Sequence, residues 1–343
     1  VFRGEGPWIF TGTLRPGERA DVAIQALTAL DRSAWYLDYD FNRYRFKTEP
    51  NPNAIVAAEE RNLTNTQIYQ EMRHRIEETF PTEKPVHVIH FPTGPESIPD
   101  NPQNLRLSIL HHDDLAVETG DAPPALLIDM LGKTGASGST RVNRNAVAFL
   151  VADKNQIANY RKTVAWDMAA HAVVDDTTRM QQFDEPIRKK LHALADTSKI
   201  NARIALARCY KHLYIPSSDK ATGYLRHEEL PAQSQGNVKP KQTSVVREYL
   251  EQLGKIQSAE MGVQYVQAKT WPKDATSVAT STMMDRFWQD HSLPLVLNTH
   301  LLTAPIRQGV KSGRWVYYDA NAKTTVTASD PPPNVTIGDA TYL

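Results

Sequence analysis

The period of the apolar positions changes along the chain, and each period predicts a different kind of element. From about 20 to 33, Val22, Ile24, Leu27 and Leu30 recur at helical spacing. Trp35-Tyr-Leu-Asp-Tyr-Asp and Arg43-Tyr-Arg-Phe-Lys-Thr then alternate apolar or aromatic with polar residues across Phe41-Asn42, the period of a half-buried hairpin. Glu49-Pro-Asn-Pro-Asn can continue neither strand nor helix and is expected to end the unit. A helix feeding a two-stranded ribbon matches the second half of a winged helix, which gives a first segment over residues 1–60.

Residues 61–230 read as α/β. Leu63, Ile68, Met72 and Ile76 predict a helix over 62–80, with Thr64 or Asn65 as its cap. Short apolar runs at 86–91, 105–110 and 146–152 alternate with helical stretches at 123–131 and 154–171, the pattern of a mostly parallel sheet covered on both faces. Phe183, Ile187, Leu191 and Leu194, continued by Ile204, Leu206 and Tyr210, predict one long helix or two in tandem over 178–213, closed by Pro216. A strand fits within 220–230, and the polar stretch 231–241 is the linker candidate.

The segment 241–343 predicts helices at 245–253 and 280–290 and an extended run at 293–297. A further helix over 306–312 has Thr303 as cap, Pro305 in its first turn and Gly313 as its stop. A ribbon follows, turning at Ala320-Asn321, so this segment reads as a whole winged helix. The expected fold class is α/β: a mostly parallel sheet domain with a long helical segment, flanked by winged-helix elements.

Composition narrows the function classes. The chain has 343 residues, with 39 basic and 39 acidic side chains. That balance argues against a surface dominated by nucleic-acid phosphates, while a local basic patch survives the average. The lone cysteine, Cys209, excludes a disulfide framework and a cysteine-based zinc site. It also fits a reducing compartment, so a cytoplasmic location is expected. No apolar run approaches the ~20 residues that span a bilayer, and no membrane partner is expected. The chain opens on Val1-Phe-Arg-Gly rather than methionine, which suggests a piece of something longer.

Three stretches carry a family likeness: the hairpin Trp35–Asn51, Arg141-Val-Asn-Arg-Asn-Ala-Val-Ala-Phe-Leu-Val-Ala-Asp, and Ala304-Pro-Ile-Arg-Gln-Gly-Val-Lys-Ser-Gly-Arg-Trp-Val-Tyr-Tyr. In this order they resemble the C-terminal half of large bacterial and archaeal AAA-type ATPases, a family catalogued as a domain of unknown function with members in phage-defence gene clusters. The resemblance covers roughly residues 21–319. It implies a non-catalytic coupling region, with nucleotide motifs upstream and ATP and magnesium bound by the parent protein rather than by this chain. It also implies as partners the ATPase core, other subunits of an antiviral defence complex and double-stranded DNA.

The chain departs from a nucleotide-binding pattern. Gly132-Lys133-Thr134 ends like a phosphate loop, but the first glycine of that motif falls on Leu127, and the tripeptide closes a helical segment instead of opening one. Ala125-Leu-Leu-Ile-Asp129 echoes the second nucleotide motif and reads better as a helix interior.

Other constellations carry candidate chemistry. Arg141 and Arg144 are candidates for an inter-subunit arginine that would reach a neighbour's nucleotide, or for structural ion pairing. Arg43, Arg45 and Lys47 on the first hairpin, and Arg307, Lys311, Arg314 and Lys323 around the last one, are DNA-contact candidates. The same basic faces also suit a protein partner or plain solvation. His111-His112-Asp113-Asp114 follows an apolar run at the strand end where α/β sheets bind ligands. A metal-dependent phosphodiesterase built on His111, Asp113 and Asp129 is the enzymatic alternative, with only alternate residues of an extended chain expected to converge.

Overall fold

The structure, a computed structural model, describes residues 4–5, 14, 19–40, 43–46, 50–101 and 104–343. The chain divides into two compact units that interleave along the sequence. The first takes residues 1–76, 156–207 and 233–238, and the second takes the rest.

In the first unit the helix Ala20–Ser33 leads into the hairpin Leu37–Asp40 and Arg43–Phe46, paired antiparallel from Leu37↔Phe46 to Asp40↔Arg43. Val22, Ile24 and Leu30, whose spacing predicts the helix, are exposed in it. The Asn-Pro run that was expected to end the unit starts a helix instead. The Asn51 side chain accepts from the backbone N–H of Asn53 at 2.9 Å, Pro52 takes the first turn where no donor is needed, and the helix runs Pro52–Glu60.

This helix packs with Ile157–Asp175 and with the 25-residue helix Glu185–Cys209 through Ile55, Val56, Ala169, Ala170, Val173, Ile187, Leu191 and Ala195. The alanines let the helices approach closely. Among the described residues of this unit the Asp167 carboxylate is buried, and it binds Arg75 Nη1 at 2.7 Å, the Ser198 hydroxyl at 2.6 Å and His171 Nδ1 at 3.1 Å. Serine and histidine both meet the aspartate rather than each other, so the trio is a structural tie and lacks the relay of a catalytic triad.

The second unit holds a six-stranded sheet. Its strands are β1 (Val86–His90), β2 (Leu105–Ile109), β3 (Ala116–Val117), β4 (Val147–Asp153), β5 (His212–Pro216) and β6 (Leu225–Glu229). The order is β6-β5-β4-β2-β1, with β3 pairing the end of β4. β1 with β2, β2 with β4 and β3 with β4 are parallel, whereas β4 with β5 and β5 with β6 are antiparallel. The sheet is therefore mixed: a parallel core of β1, β2, β3 and β4, extended by antiparallel pairing at β5 and β6. The cause is β5, which the helical reading of 178–213 had partly absorbed. The long helix stops at Cys209, and His-Leu-Tyr-Ile-Pro returns at once as a strand with a short connection to β6.

β4 is buried along its whole length, as a central strand covered on both faces requires. One of its faces packs Val147, Phe149 and Val151 with Tyr214 and Leu225 against Leu127, Met130 and Leu131 of the helix Ala125–Gly132.

The C-terminal part of this unit contributes the helices Thr243–Gln252, Val263–Thr270, Thr280–Gln289 and His300–Lys311. A small antiparallel sheet follows, with Tyr317–Asp319 between Thr324–Val326 and Thr341–Tyr342. The last helix begins six residues before the predicted start at 306, so Pro305 lies inside it. At Gly309 a Cβ would come 2.3 Å from Trp315 Cε3, so only glycine admits that indole. Asn145, fully buried before β4, donates to Phe287 O at 2.6 Å and Leu293 O at 3.0 Å and accepts from Lys255 Nζ. It ties the sheet to the helical part of the same unit. Among the described residues no helix is long and apolar enough to cross a membrane.

Candidate functional site

In a parallel core the carboxyl ends of the strands form one edge, where side chains are free of ladder pairing and can meet a ligand. Here that edge is rich in imidazole and carboxylate. β1 ends on His90, β2 is followed by Leu110-His111-His112-Asp113, and β4 ends on Asp153.

After β2 the chain turns instead of staying extended: Asp114 N–H and Leu115 N–H both donate to His111 O, at 3.1 and 3.0 Å. The turn stacks the adjacent rings of His111 and His112 with centroids 4.3 Å apart, and Phe91, at φ 54°, sets its ring edge-on to His111. Donor atoms of His111, His112 and Asp113 thus lie within 4.8 Å of one another. Convergence of neighbouring residues was excluded for a strand, and the turn removes that restriction. Asp129 is not part of the group. It pairs with Lys133 Nζ at 2.6 Å at the rim of a cleft of about 440 Å³, beside Gly132, Gly138 and Thr140.

A second group was not read from the sequence. Strand alternation puts Phe149, Val151 and Asp153 of β4, His212 and Tyr214 of β5, and His227 and Glu229 of β6 on one face, with His212 opposite Val151 and Glu229 opposite His212. The face is apolar over most of its length and becomes ionisable at the β4 carboxyl end. His212 is fully buried, and its Nδ1 is 2.8 Å from His227 Nε2 and 3.8 Å from Glu229 Oε1. His212 Nε2 faces Asp153 Oδ2 at 3.6 Å and has no hydrogen-bond partner among the described residues.

Lys211 Nζ lies 3.0 Å from Asp153 Oδ2 and 3.2 Å from Glu229 Oε2, and the Thr119 hydroxyl donates to Glu229 Oε1 at 2.5 Å. The Glu229 side chain is 36% exposed, which opens the group to solvent.

Burial lowers the pKa of both imidazoles, and for His212 the neighbouring His227 and Lys211 lower it further. Both rings are therefore held in the neutral form. The Thr119 hydrogen bond and Lys211 hold Glu229 below the usual carboxylate range against the opposing effect of burial. Burial pulls the Lys211 pKa down, but hydrogen bonds to Asp153 and Glu229 outweigh it and leave a firm cation. Nearby, burial and the Asp153 charge push the Cys209 thiol up to about 12, so it stays protonated and is a poor nucleophile or ligand.

The basic candidates are dispersed. Arg141 is enclosed and donates to Met130 O, Pro99 O and Ile98 O at 3.1, 3.3 and 3.0 Å, so its guanidinium is spent inside the unit and is not presented to a neighbouring subunit. Arg144 donates to Arg141 O at 3.1 Å. Arg307 reaches Pro333 O at 3.1 Å and Asn334 Oδ1 at 3.3 Å, and Arg314 donates to Gln267. Lys311 and Lys323 are exposed. Arg43 and Arg45 lie on the second strand of the first hairpin, with their side chains outside the described residues, and Lys47 lies outside them altogether.

No protein-family model, curated protein or solved structure matches this chain.

Proposed function

We propose that the chain is the non-catalytic C-terminal coupling region of an AAA-type ATPase of the phage-defence kind, and that its last helix and hairpin form a winged helix that contacts double-stranded DNA. The observation that carries this reading is the surface of the helix His300–Lys311. Most of it is buried, and what remains accessible is one stripe: His300, Ala304, Arg307, Gln308 and Lys311. That stripe is polar, carries no carboxylate and is followed at once by a hairpin whose exposed tip holds Lys323.

A helix end with this chemistry suits a groove, and a basic wing suits phosphate. Arg307 is already held by the C-terminal tail, so the contact rests on Lys311 and Lys323.

The Gly-Lys-Thr tripeptide supports the non-catalytic part. The helix Ala125–Gly132 runs into it, Lys133 is paired with Asp129, and Leu127 is buried where a phosphate loop needs glycine.

Titrating a fluorescent duplex at several salt concentrations tests the reading. Binding should weaken with salt, and Lys311→Ala combined with Lys323→Ala should flatten the log–log slope by about 2, near one released counterion per lysine. A slope unchanged by the double substitution would remove the duplex contact from this face.

The second reading, a metal-dependent phosphodiesterase in the α/β unit, is favoured by the His111–His112–Asp113 group at the strand ends.

A further inference from the structure

We infer that His212, His227 and Glu229 form a binding site for one divalent transition metal of the zinc class, with Asp153 as the carboxylate that orients His212. None of these four residues belongs to the coupling face or to the His111–His112–Asp113 group.

Two imidazoles and one carboxylate are a common ligand set for zinc with an open fourth position. The donor atoms of these three side chains lie within 4.8 Å of one another. Ligands at about 2.0–2.2 Å around a tetrahedral ion stand roughly 3.3 Å apart. His212 Nδ1 and His227 Nε2, now 2.8 Å apart and sharing one N–H, need to part by about half an ångström, and His212 Nδ1 and Glu229 Oε1, 3.8 Å apart, need to close by a similar amount. β5 and β6 are directly paired at these residues, so a small rotation of half-buried His227 and Glu229 suffices.

The independent sign of a ligand site is the other nitrogen of the fully buried His212. When Nδ1 binds a metal, the ring proton must sit on Nε2, and Nε2 faces Asp153 Oδ2 at 3.6 Å with no hydrogen-bond partner among the described residues. A ligating histidine backed by a carboxylate on its second nitrogen is the usual outer arrangement of a metal site.

The remaining contacts are compatible with an ion. Lys211 holds Glu229 through Oε2 and Asp153 through Oδ2, which leaves Oε1 to turn to the metal while Thr119 Oγ1 steadies it. The exposed side of Glu229 leaves the fourth position to water.

The test uses the full chain after chelator treatment, titrated with cobalt(II) and then zinc. The expected result is one equivalent bound, with the visible bands of tetrahedral cobalt(II), which zinc then displaces. Glu229→Gln and His227→Gln should each abolish that spectrum. Asp153→Asn should keep it and weaken affinity about 10–100-fold. Far-UV circular dichroism checks each fold, and Glu229→Gln, at the most exposed ligand, carries the test if a histidine variant does not fold. The paired substitutions His111→Ala and Asp113→Ala should leave binding intact. No cobalt bound by the intact chain, or binding lost with the His111/Asp113 pair and retained in Glu229→Gln, would overturn the assignment.

Discussion

Replacing Asn145 by alanine should cost the second unit more stability than its small change in volume suggests. The side chain is fully buried, and its amide answers three groups at once: Phe287 O, Leu293 O and the Lys255 ammonium. Alanine leaves two carbonyls without that donor and removes one of the ammonium's acceptors, with Pro216 O at 3.1 Å and His291 O at 3.4 Å remaining. A buried polar group left without its partner costs about 1–3 kcal/mol. Counting two such carbonyls and the loosened lysine gives about 3–5 kcal/mol for Asn145→Ala.

Asn145→Asp separates the contributions. It keeps the acceptor for Lys255 but turns the donor side into an oxygen facing two carbonyls, so it should also destabilise. Equilibrium urea unfolding reads the cost. With m about 3 kcal/mol/M the midpoint should fall by about 1 M or more in the alanine variant. Hydrogen exchange should quicken in the helix Thr280–Gln289 before it does in β4. A loss below about 1 kcal/mol, or protection lost evenly across the unit, would refute the claim that this amide joins the sheet to the C-terminal helices.

Two further predictions test packing and charge. Gly309→Ala places a methyl group against Trp315 and should cost about 1–3 kcal/mol with a change in tryptophan fluorescence, whereas Gly236→Ala, where a Cβ meets nothing within 4 Å, serves as its control. Burial pushes the Lys255 ammonium down to about 7, with Arg226 adding to the effect and Asp290 opposing it. The unfolded chain keeps that proton to roughly pH 10.4, so between about 7 and 10 it binds more protons than the folded state and stability rises with pH. Below 7 both states are protonated and the penalty is borne in full. Lys255→Met should remove a slope of up to about 1.4 kcal/mol per pH unit, measured by urea unfolding at pH 7.5 and 9.5, and parallel slopes in both proteins would sink the assignment.

The elements legible in the sequence were those whose own period decides their structure. The hairpin Leu37–Phe46 shows a clean alternation, and β4 carries six consecutive apolar residues before Asp153, a run that a doubly covered strand explains. The 51–60 helix was hidden because proline and asparagine read as a stop, although the same two residues begin a helix when asparagine caps it and proline takes the first turn.

β5 was hidden for a different reason. His-Leu-Tyr-Ile-Pro is too short to show a period against the preceding helix, and its structure comes from pairing with β4 and β6. That one miss concealed the His212–His227–Glu229 group, which exists only once β5 and β6 lie side by side. A signal was present in His227-Glu228-Glu229, whose alternate members share a face on any strand. The His111–Asp113 group was visible from its position after an apolar run, but its geometry depends on a turn that spacing does not encode.

The most direct test of the coupling assignment is ATP turnover by this chain alone, with magnesium present and with and without duplex. The account predicts no hydrolysis above background in the intact chain and none in Lys133→Ala. Robust turnover abolished by Lys133→Ala would contradict it, because the Gly-Lys-Thr tripeptide would then be part of a working nucleotide site.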